Sequence, residues 1–265
     1  MSGCAGYDAI AHVYEKLNSD IDYSKWADFI EECFKKYLPE RPELVLDLAC
    51  GAGTMTRELS SRGYDMIGID GSADMLSEAY SKPSQGPKPI LYLNQDMRSF
   101  ELYGTVGATV CCLDSINYLL SESDVKKTFD LVHNYLDPDG LFIFDVNTPY
   151  KFENVYSDNA YILEDEMTED YGDGESESYA VYCGWQNVYD RESGICDFYL
   201  SLFEEKDGVY LRRDEHQQER CYTKDTLLSL LSECGFEILG IFEDFAFSSP
   251  SESCERWYIA ARAKK

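Results

Sequence analysis

The chain has 265 residues, and 50 acidic against 23 basic side chains leave a formal net charge of −27. That balance excludes a nucleic-acid phosphate surface and a polybasic membrane anchor, both of which need clustered Lys and Arg. With 44% apolar and 14% aromatic residues, the chain is too hydrophobic for a disordered acidic tract.

The stretch from Met1 to Ala11 has no basic region followed by an apolar run, so no secretory leader is expected. No run of about 18 apolar residues marks a membrane span. The ten Cys show no C-x-x-C and no disulfide-dense spacing, and adjacent Cys111 and Cys112 lie in an apolar run. Reduced thiols in a cytoplasm are the expectation. His12, His133 and His216 are too scattered for a zinc site, so no metal is expected.

The first predicted element is a helix over Lys25–Leu38, capped by Ser24, with Trp26, Phe29, Ile30, Cys33, Phe34 and Tyr37 on one face. Pro39 and Pro42 end it. Strands over Leu44–Ala49, Met66–Ile69, Ile90–Leu93, Ala108–Leu113 and Leu141–Val146 then alternate with helices over Thr54–Arg62, Ala73–Tyr80 and Glu122–Tyr135. Such alternation predicts a parallel sheet covered on both faces. After Pro149 the pattern changes. Leu163–Ser178 carries eight acids and no Lys or Arg, which reads as a solvated, mobile loop. Three strands follow, over Tyr179–Tyr189, Ile195–Glu205 and Val209–Glu219, the last two joined by Asp207-Gly208. Residues 151–221 therefore read as an antiparallel insert in a core made of 1–150 and 222–265. Thr223 caps a last helix, Lys224–Cys234, ended by Gly235. Phe236–Phe247 and Arg256–Ala263 read as a closing pair of antiparallel strands.

The chemistry concentrates at the carboxyl ends of the parallel strands, the rim where open α/β sheets bind ligands. Gly51-Ala52-Gly53 joins the first strand to a helix start, removing side chains where a ligand meets backbone. Alone, a Gly-x-Gly turn is weak evidence, because many such turns serve tight packing only. Asp70 closes the second strand, Asp96-Met97 follows the third, and Leu113-Asp114-Ser115 follows the fourth. Each acid singly is a plausible cap or solvated loop residue, whereas equivalent positions on successive strands suggest a site.

These segments together resemble the class I S-adenosylmethionine-dependent methyltransferases. Leu46-Asp47-Leu48-Ala49-Cys50-Gly51-Ala52-Gly53-Thr54 is similar to the family's first motif, with Ala49 in place of a frequent Gly. Gly68-Ile69-Asp70-Gly71-Ser72 is similar to its ribose-binding segment, Asn94-Gln95-Asp96-Met97 to its adenine turn, and Leu136–Asp145 to its later motif. The resemblance implies a Rossmann-like, seven-stranded, mostly parallel sheet with helices on both faces, plus the β insert as a lid. It implies S-adenosylmethionine as cofactor. The turn from Asp47 through Ala49, Gly51 and Gly53 to Thr54 would hold the methionyl part, and Asp70 with Gly71 the ribose. Met75 and Met97 would flank the adenine, Asp96 would accept from its amino group, and Leu113 and Asp114 would line the floor near the sulfonium. Tyr7, His12 and Tyr14 precede the first helix, and Tyr14 is either a cofactor contact or a packing tyrosine. A nicotinamide dinucleotide fits less well, because Thr56 stands at the third glycine of that fingerprint.

Methyl transfer from a sulfonium is an in-line displacement that needs alignment, shielding and sometimes a base. Asn117, Tyr118, Asn147 and Tyr150 lie on the rim, with Asn147 and Tyr14 as candidate catalytic groups. Asn147-Thr148-Pro149-Tyr150 lacks the doubled proline of the Asn-Pro-Pro-Tyr signature and follows the wrong strand. On the insert, Tyr210, Arg212, Asp214, His216, Gln218 and Arg220 share one face. His216 is a candidate base or an ion-pair partner, and the arginines are expected to pair with surrounding acids. The expected reaction is methyl transfer to a nitrogen or oxygen of a small molecule by a monomer or homodimer, with no nucleic-acid or membrane partner. The alternative is a non-catalytic protein that keeps the cofactor pocket as a sensor.

Overall fold

The described residues of the structure, a computed structural model, are 21–170 and 176–265. Tyr7, His12 and Tyr14 lie outside them. Helix α1 spans Tyr23–Tyr37, and its N-cap is Asp22, which accepts from the Lys25 N–H at 3.0 Å. The expected cap, Ser24, lies inside the first turn. Trp26, Phe29, Ile30, Cys33 and Phe34 are buried along one face, as the three- and four-residue spacing predicts.

Strands β1 (Leu44–Leu48), β2 (Asp65–Asp70), β3 (Leu91–Asn94), β4 (Val106–Cys111) and β5 (Leu136–Asn147) run parallel. Helices α2 (Thr54–Ser61), α3 (Ala73–Ser81) and α4 (Glu122–Tyr135) connect them, with a short 3-10 turn at Ser115–Tyr118. Two closing strands, β10 (Phe236–Phe242) and β11 (Arg256–Ala263), complete seven strands in the order β10-β11-β5-β4-β1-β2-β3. β11 lies antiparallel to β5 and to β10. The expected strand Phe236–Phe247 stops at Phe242, and β5 starts five residues before the expected Leu141, with an irregularity opposite Val106–Ala108.

The sheet divides two cores. Leu46, Leu48, Phe142 and Phe144 face α4 and the late helix α6 (Lys224–Glu233), while Val45, Val110 and Ile143 face α1 and α2. Each fully buried Leu, Ile or Phe contributes roughly 1.5–3 kcal/mol, so these two layers hold the rim in place.

The insert corrects an expectation. After the short helix α5 (Pro149–Asn154) it has four strands in order: β6 (Ala160–Asp170), β7 (Ser176–Asp190), β8 (Ile195–Lys206) and β9 (Val209–Arg220), all antiparallel. Most of the acid-rich stretch expected as a mobile loop is thus paired strand. β8 alternates as expected, with Cys196, Phe198, Leu200 and Leu202 buried around Phe152 of α5. Among the described residues nine cysteines are free, and no helix is long and apolar enough to cross a membrane.

Candidate functional site

A cavity of about 550 Å³ opens over the carboxyl ends of β1, β2 and β4 and reaches the insert. Its first wall is the turn after β1. Ala49, Gly51 and Gly53 all take left-handed φ, at 59°, 54° and 75°. The Cys50 N–H donates to the Ile69 carbonyl at 2.9 Å, tying the turn to β2. A Cβ built on Gly51 meets nothing within 4 Å, so the space beside it is open to a ligand. Gly53 differs from expectation: it does not line the cavity, and a Cβ there would strike Tyr92 and Ala79. Packing against β3 therefore requires that glycine.

Asp70 lines the cavity and is held from behind. Gly51 N–H donates to its Oδ2 and Ser72 N–H to its Oδ1, each at 2.8 Å. Burial raises its carboxyl pKa, and those N–H groups oppose the rise. Each oxygen retains acceptor capacity for a second donor. Asp47 sits at the cavity base, fully buried, and accepts from the Thr56 hydroxyl at 2.5 Å. Burial pushes its carboxyl up to about 7, against the Thr56 hydrogen bond. The residue at the dinucleotide fingerprint's third glycine is thus a working partner of Asp47.

Met75 and Met97 both line the cavity, as do Ala49, Thr54, Gly71 and Leu113. Asp96 lines it too, but its carboxylate is gripped by Arg98, whose Nε lies 2.9 and 3.0 Å from the two oxygens. That hydrogen bond holds its pKa below the usual range. Asp114 departs from the expected floor. Leu113 and Asp114 both adopt left-handed φ, 59° and 51°, which turns Leu113 toward the cavity and the Asp114 carboxylate away. Asp114 meets Arg256 Nη1 at 2.9 Å and accepts from Asn147 Nδ2 at 2.8 Å.

Asn147 likewise is not on the cavity wall. Its Nδ2 also donates to Glu219 Oε2 at 3.0 Å and faces the Tyr156 hydroxyl at 3.2 Å. This buried junction between core and insert was invisible in the sequence, because Arg256 and Glu219 lie over 70 residues from their partners. Arg256, a charged residue opening a largely apolar strand, is the local signal the sequence offers.

The insert end of the cavity carries Tyr118, which meets Gln217, together with His216 and Gln218. His216 Nε2 lies 2.7 Å from Asp197 Oδ1, and its ring stacks on Tyr199 with centroids 4.7 Å apart. As expected, Arg212 pairs with Asp214 and Arg213 with Glu204. Arg220 instead donates to the Leu120 carbonyl at 2.9 Å.

Comparison with known proteins fixes the family. Residues 45–140 match the methyltransferase domain family. The chain is 35% identical over 262 residues to the putative methyltransferase YqeM of Bacillus subtilis strain 168, covering 98% of each. The chain belongs to the class I S-adenosylmethionine-dependent methyltransferases. A crystal structure of an S-adenosylmethionine-dependent methyltransferase from Clostridium acetobutylicum superposes with a TM-score of 0.80 at 32% identity, over 98% of this chain and 99% of that one. A glycine/sarcosine N-methyltransferase of Halorhodospira halochloris is 26% identical, over 87% of this chain and 80% of its own length.

The cavity of this methyltransferase fits its cofactor. The open space beside Gly51, the spare acceptors of Asp70, and the volume suit a nucleoside joined to an amino acid, within the range of small-molecule sites.

Proposed function

We propose that this enzyme methylates the nitrogen of a small amine held at the Tyr118–His216 end of the cavity. The observation that carries the reading is the continuity of that cavity, from Gly51 and Asp70 at the core to His216 and Gln218 on the insert. The glycine/sarcosine N-methyltransferase relative supports a small amine as acceptor. In this reading Asp70 and Gly71 hold the ribose, Met75 and Met97 enclose the adenine, and Asp47 with the Ala49–Thr54 turn holds the methionyl part. When bound, S-adenosylmethionine supplies an electrophilic methyl group on a sulfonium. The chain then has three tasks: align the acceptor, exclude water, and remove a proton.

An amine is largely protonated near neutral pH and has no lone pair until it loses that proton. With Asp197 accepting from Nε2–H, His216 keeps a lone pair on Nδ1 and takes the ammonium proton. Asp197 fixes the tautomer and balances the resulting cation. The insert covers the acceptor end as a lid.

The experiment is methyl transfer from labelled cofactor to a panel of glycine, sarcosine, amino sugars, alcohols and carboxylic acids, with products read by mass spectrometry. Turnover confined to amines is expected, and methylation of alcohols or acids alone would overturn the nitrogen reading. His216→Asn is expected to lower kcat by about 10²-fold or more with unchanged cofactor affinity.

A further inference from the structure

Leu113, on the wall of the cavity, and Asp114 behind it are consecutive non-glycine residues in left-handed φ. L-residues adopt that conformation at a cost, and the surroundings must over-determine it. Four groups do so. The Asp114 N–H donates to Asp145 Oδ2 at 2.9 Å, and the Asn117 N–H donates to the Asp114 carbonyl at 2.7 Å. Asn147 and Arg256 take the two carboxylate oxygens of Asp114. Arg256 Nη1 also bonds Asp145 Oδ2, so one guanidinium nitrogen ties the turn after β4 to β5.

Arg256 opens β11 opposite Asn147 of β5, inside the hydrogen-bonded sheet. It is therefore a fixed point against which the turn is clamped. The surrounding groups complete the balance. Burial alone would raise the Asp114 carboxyl pKa, but the Arg256 and Lys151 charges hold it below its usual value. Burial and the neighbouring Asp114 charge push the Glu219 carboxyl well above the usual carboxylate range.

We propose that Arg256 and Asp145, neither of which lines the cavity, are positioning residues: they clamp the Leu113–Asp114 turn and so shape the wall against which the cofactor binds. The proposal rests on the cofactor assignment above. It gives function to a cluster that otherwise looks like a structural ion pair.

Calorimetric titration of S-adenosylmethionine and its demethylated product into wild type, Arg256→Lys and Asp145→Asn tests it. Lysine keeps the charge but lacks the planar fork. Arg62→Ala serves as the stability control. It breaks a triple ion pair with Asp28, Glu31 and Glu58 at the far end of α2. Both junction variants should fold, by circular dichroism, and bind about tenfold or more weakly, the size of loss that a slightly misplaced wall produces. Arg62→Ala should melt at a lower temperature and bind like wild type. A merely structural ion pair would lower the melting temperature without changing affinity in the folded protein. Junction variants that fold and bind within twofold of wild type overturn the proposal. So does failure of both to fold, which would make the pair a fold determinant. Absence of binding by the wild type overturns the cofactor assignment itself, a separate result.

Discussion

Asp47 shows how a single carboxyl is held for use at a cost to stability. The unfolded chain ionises it near 3.8, and the folded chain near 7. Between those values the unfolded state holds fewer protons, so rising pH favours unfolding through this group, and the penalty is complete above about 7. Asp47→Asn can still accept the Thr56 hydroxyl. It should melt at a higher temperature than wild type, by a few °C for each kcal/mol recovered. The advantage should be larger at pH 8 than at pH 4.5, by scanning calorimetry. The same variant should bind S-adenosylmethionine more weakly, because it removes a charge from the cavity base. Asp70 has no such substitute. If Asp70 holds the ribose as proposed, Asp70→Ala should lose about 10²-fold in cofactor affinity by titration, because a ribose hydroxyl then lacks its acceptor. Gly51→Ala should also weaken binding: its φ of 54° strains an L-residue, and the added methyl enters the cavity.

At the scale of elements, the rim was legible in the sequence because helices and strands write their periods locally. The Gly51 turn, Asp70 and Met97 lie where strand ends were expected, and Met75 lies on the expected helix. Two things were not legible. The acidic stretch is strand because β6 is an edge paired to β7, and edges tolerate charges that suggest a loop when read one residue at a time. The destination of Asp114 depends on Arg256, 142 residues away, a separation that no local pattern reports. The insert is joined to the rim through the 3-10 turn. Asn117 donates from Nδ2 to the Arg220 carbonyl at 2.9 Å and accepts from the Asn147 N–H at 2.9 Å. Tyr118 donates to Gln217 at 3.2 Å. Asn117→Ala leaves buried backbone groups without partners, and each costs about 1–3 kcal/mol. Urea unfolding should show that loss, and the KM for the acceptor should rise more than the KM for the cofactor. Leu200→Ala, in the insert's own core, should cost about 2–5 kcal/mol and speed amide exchange in β7 to β9 before it does so in β1 or β4.

For the whole molecule, the charge of −27 sets conditions rather than fold. Self-repulsion is screened with a Debye length of about 10 Å at 0.1 M salt. Melting temperature should therefore rise between 10 and 300 mM sodium chloride, and a flat response would show that the local pairs already neutralise the surface.

The place of β11 has a consequence in time. It is the last strand made, yet it lies between β5 and β10, pairing Asn147 with Arg256. During synthesis β1 to β5 emerge first, and β5 waits with a bare edge through the whole of the insert. Asp114 and Asp145 wait as well, without Arg256. The core and the cavity wall are thus completed together, in one late step, by the arrival of a single strand that opens with Arg256.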